Sequence, residues 1–166
     1  ASAVDIHGWK RSKRSLTLVN LPVYSQVQYK FPAQPRQVRV ESAHSCPAKC
    51  TFCHAYGDFD TGFPRMKPQI MKLDLVEHIL KDIASWPQPL KEIVPTNFGE
   101  WPNNPEWLKI GQMMGELLPS TYIALPTTGI PFIKEGALEA LASLPTLRWL
   151  NFSMNAYFQE TWQRIL

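Results

Sequence analysis

The sequence is poor in cysteine: its 166 residues contain three, and all three fall between positions 46 and 53. An odd number of clustered thiols argues against a disulfide framework, which pairs cysteines spread along small secreted chains. Long apolar runs are also missing, since no stretch approaches the ~18–20 residues of a membrane span. The net charge of +3 is too small to indicate nucleic acid as the main partner. We therefore expect neither a membrane nor a nucleic-acid partner.

The rest of the composition is typical of a globular domain. Hydrophobic residues make up 45% and charged residues 19%, which argues against disorder, and the length suffices for one domain with a core. No signal-peptide pattern opens the chain, and free clustered thiols favour a reducing compartment, so we expect a cytoplasmic protein.

The cysteines follow the spacing C-x3-C-x2-C, at Cys46, Cys50 and Cys53. Three thiolates can hold three irons of a [4Fe–4S] cluster and leave the fourth iron without a protein ligand, which makes a site for chemistry. A closed structural site would normally have a fourth cysteine or a histidine. The residues leave three interpretations open: an iron–sulfur cluster, a zinc site completed by His44 or His54, and three buried thiols.

From residue 37 the chain alternates apolar strand patterns with amphipathic helical patterns. The predicted strands cover residues 37–41, 92–96, 122–125 and 147–153. This alternation predicts an α/β fold with a parallel sheet and outer helices, as either a (β/α) barrel or a doubly wound sheet. Prolines interrupt residues 1–36, which are predicted to be an irregular lead-in to a domain spanning residues 37–166.

Cap and turn residues predict where two helices begin. Asp74 with Glu77 forms a capping-box pattern, and Asn104 is predicted as an N-cap with Pro105 at the first helical position. Pro95 conflicts with the second predicted strand because it removes a ladder donor, so we expect a bulge there or a strand displaced by a residue or two.

In both architectures, ligands bind at the carboxyl ends of the parallel strands. The unusual residues of this sequence follow those ends. The cysteines follow the first strand, Gly99 and Glu100 the second, a Thr-Thr-Gly turn the third, and Ser153 and Asn155 the fourth. Four polar or ligating loops are therefore predicted to converge on one rim of the sheet.

The cysteine motif, with aromatic Phe52 before its last cysteine, resembles the signature of the radical S-adenosylmethionine (SAM) superfamily. The resemblance implies an oxygen-sensitive [4Fe–4S] cluster on the three cysteines, with SAM bound to the open iron. It also implies that an external donor such as flavodoxin or ferredoxin supplies an electron, which cleaves SAM to methionine and a 5′-deoxyadenosyl radical that abstracts hydrogen from a substrate. The implied fold is a partial TIM-type barrel of six β-α units, of which this chain supplies about four.

The same resemblance extends to a second motif. Asn97-Phe98-Gly99-Glu100-Trp101-Pro102 is similar to a degenerate form of the family's Gly-Gly-Glu-Pro motif, in which Phe98 replaces the first glycine and Trp101 displaces the proline. Gly99 and Glu100 are therefore expected beside the amino group of SAM, since a carboxylate suits a cationic donor.

Further SAM contacts are implied by position. Phe52 and His54 match the residues that flank the last cysteine and contact adenine in the family. Ser153 matches a contact of the methionine carboxylate, Asn155 is a neighbouring candidate, and Thr128 is a further one.

The substrate is not identified by these motifs, because selectivity in such folds lies in loops and appended segments. The segment Phe63–Lys67 loosely resembles peptide-modifying members, which points to a peptide or protein substrate. With about four units present, we expect the front portion of a longer enzyme, a naturally short version, or a subunit completed by another chain. A zinc-binding interaction module and an electron-transfer iron–sulfur protein are the alternative functions.

Overall fold

A computed structural model describes residues 32–57 and 67–165 of the chain. Most of the predicted lead-in and most of the segment 63–67 lie outside the described residues. None of the helices in the described ranges is long and apolar enough to cross a membrane.

The described residues form an α/β fold whose main sheet is parallel. Its strands are β1 (Gln37–Arg39), β4 (Glu92–Val94), β5 (Tyr122–Thr127) and β6 (Leu147–Phe152), and a separate antiparallel pair joins β2 (Ala43–His44) to β3 (Gln69–Ile70). The helices are α1 (Leu73–Ala84), α2 (Trp107–Leu117), α3 (Ala137–Ala142) and α4 (Gln159–Ile165). The main sheet has the order β1-β4-β5-β6 with every pair parallel, which confirms the predicted fold class. These four strands form an open sheet, which is consistent with a partial barrel-like fold.

One face of this sheet packs against the helices. In β5, Ile123, Leu125 and Thr127 are buried while the residues between them are half-buried, which is the period of two expected of a strand. The same core receives Leu80 from α1 and Ile110 from α2. Each buried side chain of this size contributes about 1.5–3 kcal/mol to stability, so this face holds the strands in place beneath the site.

Two prolines end the hydrogen-bond ladder between β4 and β5. The Tyr122 N–H of β5 points towards β4, where it donates to a carbonyl, so Pro126, four residues later, lacks a donor on that same side. The Glu92 N–H of β4 points towards β1, so Pro95, three residues later, lacks the donor that would face β5. The two strands accordingly pair only up to Ile93 and Ile123.

The conflict over Pro95 is resolved by a shorter strand. The predicted strand over residues 92–96 is too long, since β4 ends at Val94, and no bulge is recorded between β4 and β5. Beyond Val94 the chain leaves the sheet and enters the loop that carries Glu100.

The predicted helix caps differ from the structure. The prediction that Asp74 is an N-cap is wrong, because α1 begins at Leu73 and Asp74 lies inside its first turn. There the carboxylate accepts a bond from the Leu75 N–H at 2.8 Å and complements the helix dipole. Asn104 accepts from the Glu106 N–H at 2.9 Å, but α2 begins only after that turn, so Pro105 precedes the helix.

Candidate functional site

A cavity of about 280 Å³ lies where β4, β5 and β6 end. Its lining contains all three cysteines. It also contains nearly all of the predicted cofactor residues, namely Phe52, Gly99, Glu100, Thr128, Ser153 and Asn155. A larger cavity, of about 480 Å³, is lined by residues between positions 158 and 163, and none of the predicted site residues lines it. The strand-end loops therefore converge on one rim, and the thiols lie among them.

The cysteine loop is compact. Cys50 is buried, while Cys46 and Cys53 are half-buried. The Cys53 N–H donates to the Cys50 carbonyl at 2.9 Å, and the Gly57 N–H donates to the Cys53 carbonyl at the same distance. These two turns fold the chain after Cys50 back over itself, so that Cys53 lies beside the same cavity as Cys46.

The environment of the cavity favours the neutral, protonated form of two of the thiols. Burial raises the pKa of the Cys46 thiol to about 11, and the negative charges of Glu100, Cys50 and Cys53 raise it further. Burial likewise raises the pKa of Cys50, again with help from Cys53 and Glu100. A bound cation reverses this balance, because it stabilises thiolates and releases their protons.

The three cysteines offer thiolate ligands to the group that their spacing implies. Within residues 32–57 and 67–165, no three Cys, His, Asp or Glu side chains are grouped so as to hold a metal ion. A [4Fe–4S] cluster requires a wider arrangement, because each thiolate binds a different iron. Three thiols that line one cavity match the donor type of that cluster.

The two histidines weighed as zinc ligands lie elsewhere. His44 lines a different cavity, beside the start of α1. His54 is exposed and packs edge-on against the ring of Phe98, with 4.9 Å between ring centroids. Neither lines the cavity of the cysteines as the structure describes it, so His54 is the one predicted cofactor residue that the cavity leaves out.

Glu100 is held rigidly at the centre of the site. Its side chain is buried, with the residue 3% exposed. The Thr127 hydroxyl donates to Oε2 and the Thr128 N–H donates to Oε1, each at 2.6 Å. Trp101, the next residue, is fully buried in the core. Because a carboxylate can accept about four hydrogen bonds, Glu100 keeps acceptor capacity for a further donor in the cavity.

The loop that ends at Glu100 lies directly against the segment that leads to Cys46. A Cβ added at Gly99 would fall 2.0 Å from the Ala43 carbonyl oxygen and 2.7 Å from the Ser45 nitrogen, so only glycine fits. The Glu100 N–H donates to the Ser45 carbonyl at 2.8 Å. Close packing therefore holds the segment before Cys46 against the segment that carries Glu100.

Glu41 joins these two segments from the other side. Its Oε1 accepts hydrogen bonds from the Phe98 and Gly99 N–H groups, and its Oε2 lies 2.8 Å from His44 Nδ1. Burial alone would raise the pKa of Glu41, but the Gly99 N–H, His44 and the Phe98 N–H together hold it below its ordinary value. The carboxylate therefore remains charged at neutral pH.

Two residues of this site were missed by the sequence analysis. Glu41 contacts a loop that lies 57 positions further along the chain, and Thr127 contacts a carboxylate that lies 27 positions earlier. The available signals were weak: a carboxylate at the end of the first predicted strand and a hydroxyl pair after the third.

Replacing Gly99 by alanine is expected to destabilise the protein by about 1–3 kcal/mol or more, because the new Cβ meets backbone atoms that no rotamer change can move. Urea unfolding of both proteins measures the change. Gly136→Ala is the control, since nothing lies within 4 Å of its added Cβ and only its positive φ of 76° adds strain. Equal stability of the two variants would contradict the packing argument.

The fold is shared with a solved structure, that of BtrN in complex with AdoMet and 2-DOIA. The two superpose with a TM-score of 0.63 at 17% sequence identity, a level at which the likeness shows the fold alone. The match covers 81% of this chain and 52% of the BtrN chain, so this chain spans about half the length of BtrN. No protein-family model matches the sequence. A search of curated proteins also finds no match.

Proposed function

We propose that this chain forms the core of a radical SAM enzyme acting on an unidentified substrate. The observation that carries the proposal is that three cysteines, a buried carboxylate and polar strand-end residues line one cavity. The fold shared with BtrN supports the ligand class, because that protein was solved with AdoMet. The 2-DOIA ligand is that of BtrN, and the substrate proposed for this chain is left unnamed.

In this proposal Cys46, Cys50 and Cys53 hold the cluster and leave one iron open. A [4Fe–4S] cluster bound there would supply one-electron chemistry for the reductive cleavage of SAM, with the electron coming from an external donor such as flavodoxin or ferredoxin. Glu100 accepts hydrogen bonds from the SAM ammonium group, since a buried carboxylate that is already oriented binds a cation at little further cost in ordering. The hydrogen bond from the Thr127 hydroxyl orients this carboxylate.

The remaining residues orient the rest of SAM. Ser153 and Asn155 offer a hydroxyl and an amide to the methionine carboxylate from the segment after β6. Thr128, whose N–H donates to Glu100, lines the same cavity. Phe52, whose side chain is 59% exposed, offers its ring to adenine. His54 remains a proposed adenine contact, because it packs against Phe98, which lines the cavity.

The test is electron paramagnetic resonance of the protein after anaerobic reconstitution with iron and sulfide and reduction with a chemical reductant. A reduced-cluster signal that changes shape when SAM is added is expected, because SAM binds the open iron. Release of 5′-deoxyadenosine from SAM is the second expected result.

Other outcomes would overturn the proposal in favour of a named alternative. A cluster signal that SAM leaves unchanged would indicate an electron-transfer protein. Failure to bind iron, with zinc in the purified protein and no absorption near 400 nm, would indicate the zinc-binding module.

A further inference from the structure

We propose that Glu41 is a positioning residue, which holds the SAM-binding loop at Gly99 and Glu100 against the cysteine loop. This inference rests on the proposed function. Its basis is one carboxylate oxygen that accepts from two consecutive backbone N–H groups, those of Phe98 and Gly99, at 2.6 Å each. Hydrogen bonds of N–H groups to an ionised carboxylate are among the strong ones in proteins.

The place of Glu41 in the chain gives these bonds their importance. Glu41 lies two positions after the end of β1 and five positions before Cys46, and its two donors lie immediately before Glu100. The carboxylate therefore connects the segment that places the first thiol to the segment that places the ammonium partner. Since Gly99 is buried, its N–H would otherwise need another acceptor away from water.

The second carboxylate oxygen strengthens the same connection. It lies 2.8 Å from Nδ1 of His44, whose ring packs edge-on against Phe98 with 6.3 Å between centroids. Carboxylate and imidazole thus hold the Phe98–Gly99 turn from two directions, one through its backbone and one through its side chain. Loss of the carboxylate would remove the acceptor of the two backbone N–H groups.

Glu41 is outside the lining of the cysteine cavity and lines a different cavity with His44. It therefore acts on SAM through the loop rather than by contact. A residue with that role has two effects that a merely stabilising residue lacks. Its removal frees the Phe98 and Gly99 amides in the metal-free protein, and it weakens SAM binding while the thiols still hold a full complement of iron.

The experiment compares Glu41→Ala and Glu41→Gln with the wild type. In metal-free protein, hydrogen–deuterium exchange of the Phe98 and Gly99 amides is expected to be about tenfold faster or more in Glu41→Ala, because loss of one strong bond is worth about that factor. After reconstitution, the SAM concentration that half-completes the paramagnetic change is expected to rise about tenfold at unchanged iron content. Glu41→Gln keeps an acceptor oxygen and is expected to fall between the two.

Glu77→Ala is the matched control. Glu77 is a glutamate on the solvent side of α1, where it pairs with Lys81 at 2.7 Å, and its side chain is 45% exposed. The Glu77→Ala variant should show the wild-type exchange rates at the Phe98 and Gly99 amides, and the same SAM concentration should half-complete its paramagnetic change. Urea unfolding of all variants identifies any general loss of stability, and Glu41→Gln provides a folded variant should Glu41→Ala fail to fold.

The outcomes separate the inference from the proposed function. If the paramagnetic signal of the wild-type cluster does not change when SAM is added, both the proposed function and this inference are wrong. A wild type that responds to SAM, with Glu41 variants that respond at the same SAM concentration, overturns the positioning role alone. Amides that exchange at the wild-type rate in Glu41→Ala overturn it as well.

Discussion

Replacement of Cys46, Cys50 or Cys53 by alanine is expected to reduce reconstituted iron from about four atoms per chain to a small fraction of that. Each thiolate holds a different iron of the proposed cluster, and the chain contains no other cysteine that could take its place. Iron and acid-labile sulfide analysis, together with absorption near 400 nm, measures the effect.

The histidines provide the controls for this experiment. Because neither His44 nor His54 lines the cavity that holds the thiols, as far as the chain is described, His44→Ala and His54→Ala are expected to keep their iron. A loss of metal as severe as that of a cysteine variant would make that histidine a fourth ligand. The fourth iron would then have no open position for SAM, and the proposed function would fail.

The Glu100→Gln variant is expected to bind SAM about 10- to 100-fold more weakly at unchanged iron content. Both existing contacts can persist, since Oε1 of glutamine can accept from the Thr128 N–H and its NH₂ group can donate to the Thr127 hydroxyl. The negative charge and the acceptor oxygen Oε2 are lost, and a hydrogen bond to a charged group contributes about 1.5–3 kcal/mol. Titration of the SAM-induced paramagnetic change measures the affinity.

Glu116→Gln is the matched control for this substitution. Glu116 is exposed on α2, so the same chemical change there should leave SAM binding unaltered. If Glu100→Gln bound SAM as tightly as this control, the carboxylate would have no part in recognising the ammonium group. Loss of iron in Glu100→Gln would instead give the residue a role in the cluster loop.

The main sheet could be predicted from the sequence because its signals are local. Apolar runs followed by amphipathic helical patterns predicted parallel strands, and β5 and β6 lie close to the predicted segments. The pair β2–β3 could not be predicted in this way. Each of its strands has two residues, and Ala43 pairs with Ile70, 27 positions away, so neither strand shows a measurable period.

The same contrast between local signals and distant contacts applies to the residues of the site. Residues that the loops carry at strand ends, such as Glu100 and Ser153, follow from the order of strands and loops in the chain. Residues that act by contacting another loop cannot be predicted from that order. Glu41 reads as the last residue of a strand, and Thr127 as one of two adjacent threonines, until the fold brings each beside its partner. Their importance lies in contacts that are distant in sequence.

The two prolines at the rim have a consequence for how tightly a ligand can bind. Because Pro95 and Pro126 both lack the donor that would face the other strand, β4 and β5 cannot extend their pairing towards the cavity, whatever the cavity contains. The ends of these two strands stay unpaired because the proline rings replace the N–H groups, so no ligand is needed to separate the strands. Such a preorganised cleft lowers the ordering cost of association, so more of the contact energy of an incoming ligand is expressed as affinity.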